Sequence, residues 1–374
     1  MTQRSRIMGA AAVLLLLGLV LSGCGAAPVA QDWPDLTVAG DTVYVISGSP
    51  QRVYLLDAET GVQKTSFVPQ PEPTGARYWS PVATGADLAF VGFGVLERKT
   101  YGLYAFDPLT GQERWHVAAG SFILGAPVYV DGAVYYGDSA GKVYAVDVAT
   151  RSIKPGWPFQ AGDAIWGSPL VASGKVYVAA LDHHLYCLDA QTGQPIWDYE
   201  AGGAMAAQPV LDPGSNILYI GDLVGKVNAI QADSGQAVAG FGFKAKNWIW
   251  SEALLAGGTL YVTSLDGNLY ALDPATGAVL PSYPMGGGDM LRAAPVQSGD
   301  NILVASREGK ITVIDGKTGV QRWQWSSADP IKQILTTPVV AGGAIYVVLT
   351  TGNLFVLEAD TGVQRWSFQS PASQ

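Results

Sequence analysis

A phrase of the form aromatic-x-hydrophobic-Asp-x-x-Thr-Gly returns eight times along the chain. Its Thr, replaced by Ser234 in the fifth copy, falls at 60, 110, 150, 192, 234, 276, 318 and 361. The steps between copies are 50, 40, 42, 42, 42, 42 and 43 residues. So regular a period describes one module repeated, not several unrelated domains. The last copy shows the module most clearly. Residues 338–340 read as a short strand, Gly342-Gly343 as a turn, 344–349 as a second strand and Thr351-Gly352-Asn353 as a tight hairpin turn. Residues 354–357 then form a third strand, Asp360-Thr361-Gly362 another turn, and 363–368 a fourth. Four short antiparallel strands in about 42 residues make one propeller blade, so the chain is predicted to be all-β, an eight-bladed β-propeller. An isolated blade exposes both faces and must stack on its neighbours. A straight stack would leave two terminal sheets in need of polar caps, and neither the first nor the last copy is unusually charged; ring closure follows.

Composition supports this and narrows the partners. Glycine accounts for 46 of 374 residues, aromatic residues for 10% and charged residues for only 14%. The formal net charge of −9 disfavours a nucleic-acid binder, which needs a basic surface to neutralise phosphates. No segment beyond the N-terminal leader shows helical periodicity.

The leader reads as a lipoprotein signal. Arg4 and Arg6 form its positive start, residues 7–20 an apolar stretch too short for a comfortable span, and Leu21-Ser22-Gly23-Cys24 its close, a pattern that resembles the bacterial lipobox. The resemblance implies that Cys24 is lipidated and becomes the first mature residue. The expected organisation is signal peptide 1–23, lipidated linker 24–35, propeller 36–368 and tail 369–374. The protein would then be exported and held to the cell membrane or outer membrane by lipid, with the propeller on the extracytoplasmic side. Cys187 is left without a disulfide partner.

Residues 105–115, Ala-Phe-Asp-Pro-Leu-Thr-Gly-Gln-Glu-Arg-Trp, resemble the tryptophan-docking motif of the pyrroloquinoline-quinone-type (quinoprotein-like) propeller repeat family. In that family the Trp stacks between the small first residue of its own motif and the glycine region of the next. The resemblance pairs Trp115 with Ala105, Trp197 with Cys187, Trp323 with Val313 and Trp366 with Val356 as a packing girdle. The third copy departs, with Arg151 in place of Gly and Trp157 two positions late, and copies one, five and six carry Thr65, Ala239 and Pro281 where Trp is expected.

The residues present provide little for catalysis. Enzymes of the quinoprotein type often carry an adjacent Cys-Cys pair and a calcium site, whereas Cys187 stands alone and no Asp-x-Asp-x-Asp-Gly loop occurs. The glycines of 137–142 and 221–226 enclose three residues where a phosphate loop needs four, and both segments fall at hairpin turns. His183-His184 falls in the same kind of turn, His116 on a strand, and no Gly-x-Ser-x-Gly elbow is present. We therefore expect no catalytic residue, no metal and no cofactor.

One constellation points to binding. Just before each first strand the sequence varies strongly, and in a propeller these lead-in segments converge on one mouth of the central channel. Trp79, Trp166, Met205, Trp248, Trp250, Glu252 and Arg292 are the candidate mouth residues, either lining a mostly apolar pocket or plugging the channel. Two insertions, a Pro-rich stretch at 69–73 and an extended hairpin at 93–101, add loop surface.

A lipid-anchored propeller without a catalytic constellation resembles the B-type lipoprotein family of the outer-membrane barrel-assembly machinery. That resemblance implies a scaffold for an envelope protein or peptide partner. A binding lipoprotein for a small molecule or polysaccharide is the alternative, and a quinone-dependent dehydrogenase the third reading.

Overall fold

Strands account for nearly all regular structure in the computed structural model, which describes residues 34–47, 51–70, 75–280, 285–286, 289–329, 333–369 and 371. The expected leader and Cys24 lie outside the described residues. Eight antiparallel sheets follow one another along the chain, and in each the strand order from the axis outward is the order of the sequence. The first is Leu36–Ala39, Thr42–Ser47, Arg52–Asp57 and Gln63–Phe67; the last is Val339–Ala341, Ala344–Val348, Leu354–Glu358 and Gln364–Phe368. No helix occurs among the described residues. The protein is an eight-bladed β-propeller.

Blade two is the longest. Leu88–Val95 and Thr100–Phe106 form its extended hairpin, and Ala76–Tyr78 pairs beside Ala83–Gly85 on the inner edge of that hairpin. In blade three the outer strand splits into Ser152–Ile153 and Phe159–Gln160.

Alternation along each strand sends side chains to both faces, and each face packs on a different neighbour. In blade four Val176 and Val178 join a cluster with blade three, whereas Tyr177 and Ala179 join one with blade five. There are eight such clusters, one per pair of adjacent blades. The eighth sets Tyr346, Val348 and Val356 of the last blade against Val43, Val45 and Leu56 of the first. The ring is therefore closed by the same apolar burial that joins every other pair, at roughly 1.5–3 kcal/mol for each large side chain removed from water. Blade eight is completed by its own four strands, so no strand from the start of the chain is shared across the closure. Asp35 accepts the Ile46 amide on its carbonyl at 2.9 Å and the Leu36 amide on Oδ1 at 2.8 Å.

The turn between third and fourth strands explains the repeated phrase. Asp57 Oδ1 accepts the Thr60 amide at 2.9 Å and the Thr60 hydroxyl at 2.8 Å, and Gly61 then adopts φ +73°. A glycine is required here on two counts, since a Cβ at Gly61 would lie 2.6 Å from the indole of Trp366 on the preceding blade. Gly362 stands in the same relation to Trp323, and Gly235 to Trp197. Trp115 pairs across strands with Ala105, Trp197 with Cys187, Trp323 with Val313 and Trp366 with Val356.

The departures from the motif are filled in other ways. Trp157 reaches Gly193 despite its late position, its ring 3.0 Å from where a Cβ would be. In blade five the outer strand bulges so that Phe241 stands 5.8 Å from the Tyr219 ring, the separation that Trp197 keeps from Tyr177. In blade one Phe67 stacks on Phe106 at 4.2 Å and 6°. In blade six Pro281 lies outside the described residues, and Tyr261 is the aromatic ring that the described part of the joint with blade seven buries.

A second tie was not legible in the sequence. Tyrosines of second strands reach across the joint to a main-chain carbonyl in the next blade: Tyr135 to Ala190 at 3.1 Å, Tyr177 to Ala232 at 3.2 Å, Tyr219 to Pro274 at 2.8 Å and Tyr261 to Gly316 at 2.9 Å. Tyr346 to Ala58, at 3.1 Å, repeats the tie across the closure.

Candidate functional site

The channel mouth is shaped by the lead-in segments, and a regular device holds each of them. The second residue of a blade's 2–3 hairpin donates its amide to the lead-in of the same blade: Leu181 to Ala164, Leu223 to Ala204, Leu265 to Trp248 and Arg307 to Met290, all at 2.8–3.0 Å. Within each lead-in one apolar side chain is then buried over the preceding blade. A Cβ at Gly92, Gly137 or Gly221 would strike Ile123, Ile165 or Ile249. Near the axis the backbones touch, for a Cβ at Gly167 would lie 2.5 Å from the carbonyl carbon of Ala207.

This phase divides the residues that the sequence grouped together. Tyr78, Ile165, Met205, Ile249, Leu291 and Ile334 point into the blade joints and are buried. Met205 therefore departs from the expected mouth position. It is 0% exposed in the cluster between blades four and five, because it occupies the same inward slot as Ile165 and Ile249. The following residue of each pair turns toward the mouth, where Trp79, Trp166, Trp250 and Arg292 are half-buried.

Three of these meet. Trp166 of blade four lies 5.7 Å from Trp250 of blade six at 45°, with only Ala206 contributed by blade five at the equivalent position. Trp248 stacks beside Trp250 at 6.3 Å and 21°, and the Arg292 guanidinium sits 4.6 Å from the Trp250 ring centroid in a cation–π arrangement. Burial lowers the Arg292 pKa to about 10, helped by the nearby charge of Arg307. Glu252 sits two residues beyond Trp250, and burial raises its carboxyl above the usual range. Trp79 is elsewhere, in a second aromatic group with Phe122 at 4.6 Å, which in turn contacts Tyr101 of the extended hairpin at 4.8 Å.

The other sequence candidates have structural partners. His184 Nδ1 lies 2.9 Å from Asp198, and His116 Nδ1 lies 2.7 Å from Glu113. In the hairpin beginning at Asp138, that carboxylate accepts the amides of Ala140 and Lys142, both at 2.9 Å, and the Tyr144 hydroxyl at 2.9 Å, which fixes the turn. Cys187 is fully buried between blades four and five, where desolvation pushes its thiol up to about 12. No group of three or more His, Cys, Asp or Glu is gathered among the described residues. The donors that a metal-bound quinone would require are not assembled there, and we derive no step through such a group.

The fold and its girdle thus define the class: a quinoprotein-type eight-bladed propeller whose channel mouth carries an aromatic and cationic cluster. A family model described as outer membrane protein assembly factor BamB matches residues 70–154, 99–240 and 224–374, and the chain belongs to that family. Among solved structures, BamB from Moraxella catarrhalis superposes with a TM-score of 0.69 at 17% identity, covering 90% of this chain and 96% of that one. A europium-containing methanol dehydrogenase gives 0.67 at 14% identity, covering 87% and 83% of the two chains, and the computationally designed Ika8 protein gives 0.70 at 16%, covering 87% and 96%. At these identities the likeness is one of fold. Comparison with curated proteins gives no match.

Proposed function

We propose that this protein is a non-catalytic scaffold, anchored by lipid at Cys24, that binds a protein or peptide partner at the cell envelope in the manner of an outer-membrane assembly factor. Membership of the BamB family supports the reading. The observation that carries it is the division of labour in the lead-in segments. Their inward residues are uniformly apolar and serve the fold, whereas the outward residues differ from blade to blade and present aromatic and charged groups on one face. A rigid ring with a varied mouth suits recognition of a partner. The test is photo-cross-linking in living cells from Val224, exposed on that face. The expected result is capture of a defined envelope protein, lost when Trp250 is replaced by Ala. Dye reduction by the purified protein with quinone and calcium added would overturn the reading in favour of a dehydrogenase.

A further inference from the structure

The connection from blade five to blade six breaks the repeat in one consistent way. Phe243, Ala245 and Ile249 are buried, while Lys244, Lys246 and Asn247 are exposed and Trp248 and Trp250 half-buried, so the segment presents two lysines followed by two indoles. Equivalent positions in the two preceding connections carry Gln160 and Glu200 for Lys244, Gly162 and Gly202 for Lys246, and Ala164 and Ala204 for Trp248. The register pairs Lys142 with Gln160, His184 with Glu200 and Lys226 with Lys244. The fold is built at those places with glutamine or glutamate, glycine and alanine, so it does not require the Lys-x-Lys-x-Trp-x-Trp track.

Charge adds a second observation. On a chain of net charge −9, Lys226, Lys244 and Lys246 make no ion pair among the described residues, whereas Lys64, Lys175, Lys310 and Lys317 all do. These lysines gather at the rim of blade five, with Lys226 opposite Lys244 in the ladder. Main-chain recognition is poorly served, because the amides of residues 245, 246, 248 and 249 already donate to Gly225, Asp266, Asn247 and Asp222. An added β-strand finds few donors here. Side chains must do the recognising along this segment, which bends at residues 246–247 as it passes from the outer strand to the lead-in.

We propose that this track binds a chain of acidic sugars, a pyranose face stacking on Trp248 beside the Trp250–Arg292 pair while carboxylates meet Lys244, Lys246 and Lys226. The track shares Trp250 with the face proposed for the envelope partner, but its test uses the purified chain and Trp248, Lys244 and Lys246, and so is separate from the cross-linking above. The full chain in detergent is titrated with an oligogalacturonate, a neutral malto-oligosaccharide of equal length and a poly-glutamate peptide, read by intrinsic Trp fluorescence and by calorimetry. The oligogalacturonate is expected to bind in a salt-sensitive manner and the other two at least tenfold more weakly. Trp248→Ala and the double change Lys244→Gln with Lys246→Gln should each weaken binding tenfold or more, with Trp248→Phe restoring most of it. Unchanged circular dichroism confirms that the variants fold. No binding by the wild-type chain overturns the proposal, as does poly-glutamate binding of equal strength that ignores Trp248→Ala, which would mark a bare charge patch.

Discussion

Phe241 keeps a contact after the prescribed residue has been lost. The motif places Ala239 where a Trp should stand, and the outer strand of blade five bulges so that Phe241 meets Tyr219 instead. Phe241→Ala is expected to destabilise the ring by about 2–4 kcal/mol, under the roughly 3–5 kcal/mol for a fully buried phenylalanine because Phe241 is only half-buried, as measured by urea unfolding. Ala239→Trp should give no comparable gain, because its place on the girdle is taken. The sequence showed the girdle where the spacing was kept, at Trp115, Trp197, Trp323 and Trp366, and hid it where an irregular strand carried the ring to a new position, at Trp157 and Phe241.

At the scale of the element, the Asp turn combines folding with titration. Hydrogen bonds from the Thr60 amide to Asp57, from the Thr192 hydroxyl to Asp189 and from the Thr276 hydroxyl to Asp273 hold these carboxyls below the usual range. Asp107 is lowered foremost by the Arg114 side chain and Asp315 by the Thr318 amide. A folded-state pKa below the unfolded value means stability that is present above the unfolded pKa of about 4 and lost as pH falls through the folded one. Calorimetric Tm is therefore expected to drop on acidification below about pH 4, and Asp189→Asn should lower Tm near neutrality while flattening that acid slope. Blade five has Gln231 in place of this acid, and its lowered carboxyls lie outside the motif, Asp212 held by the Ser215 side chain and Asp233 by Lys175 of the preceding blade. Lead-in segments were only half legible. Their position at the mouth followed from the repeat, but which residue of each pair turns inward is set by contact with Gly92, Gly137 and Gly221 of the preceding blade, and that phase is not written locally. Met205 fell on the buried side for this reason.

For the whole molecule, the period alone carried the architecture, since eight copies that must cover both faces have few ways to do so other than a circle. The closure was not legible, because blade one already owned four strands and nothing in the composition said whether its neighbour would borrow another. Each blade is built from contiguous chain, so a circular permutant is predicted to fold. Joining residue 369 to residue 35 through a linker as long as 201–209, and opening the chain at the exposed Gly257-Gly258 turn, should preserve the far-ultraviolet spectrum and a single unfolding transition. Two separated transitions would show that the native order of blades matters.

The apolar cluster that joins the last blade to the first has a consequence for how the molecule responds to load. In a hoop whose staves are fastened alike all round, stress applied at one stave is shared along the circumference. The seam at which Leu36 and Phe368 come together is then expected to open no sooner than any other.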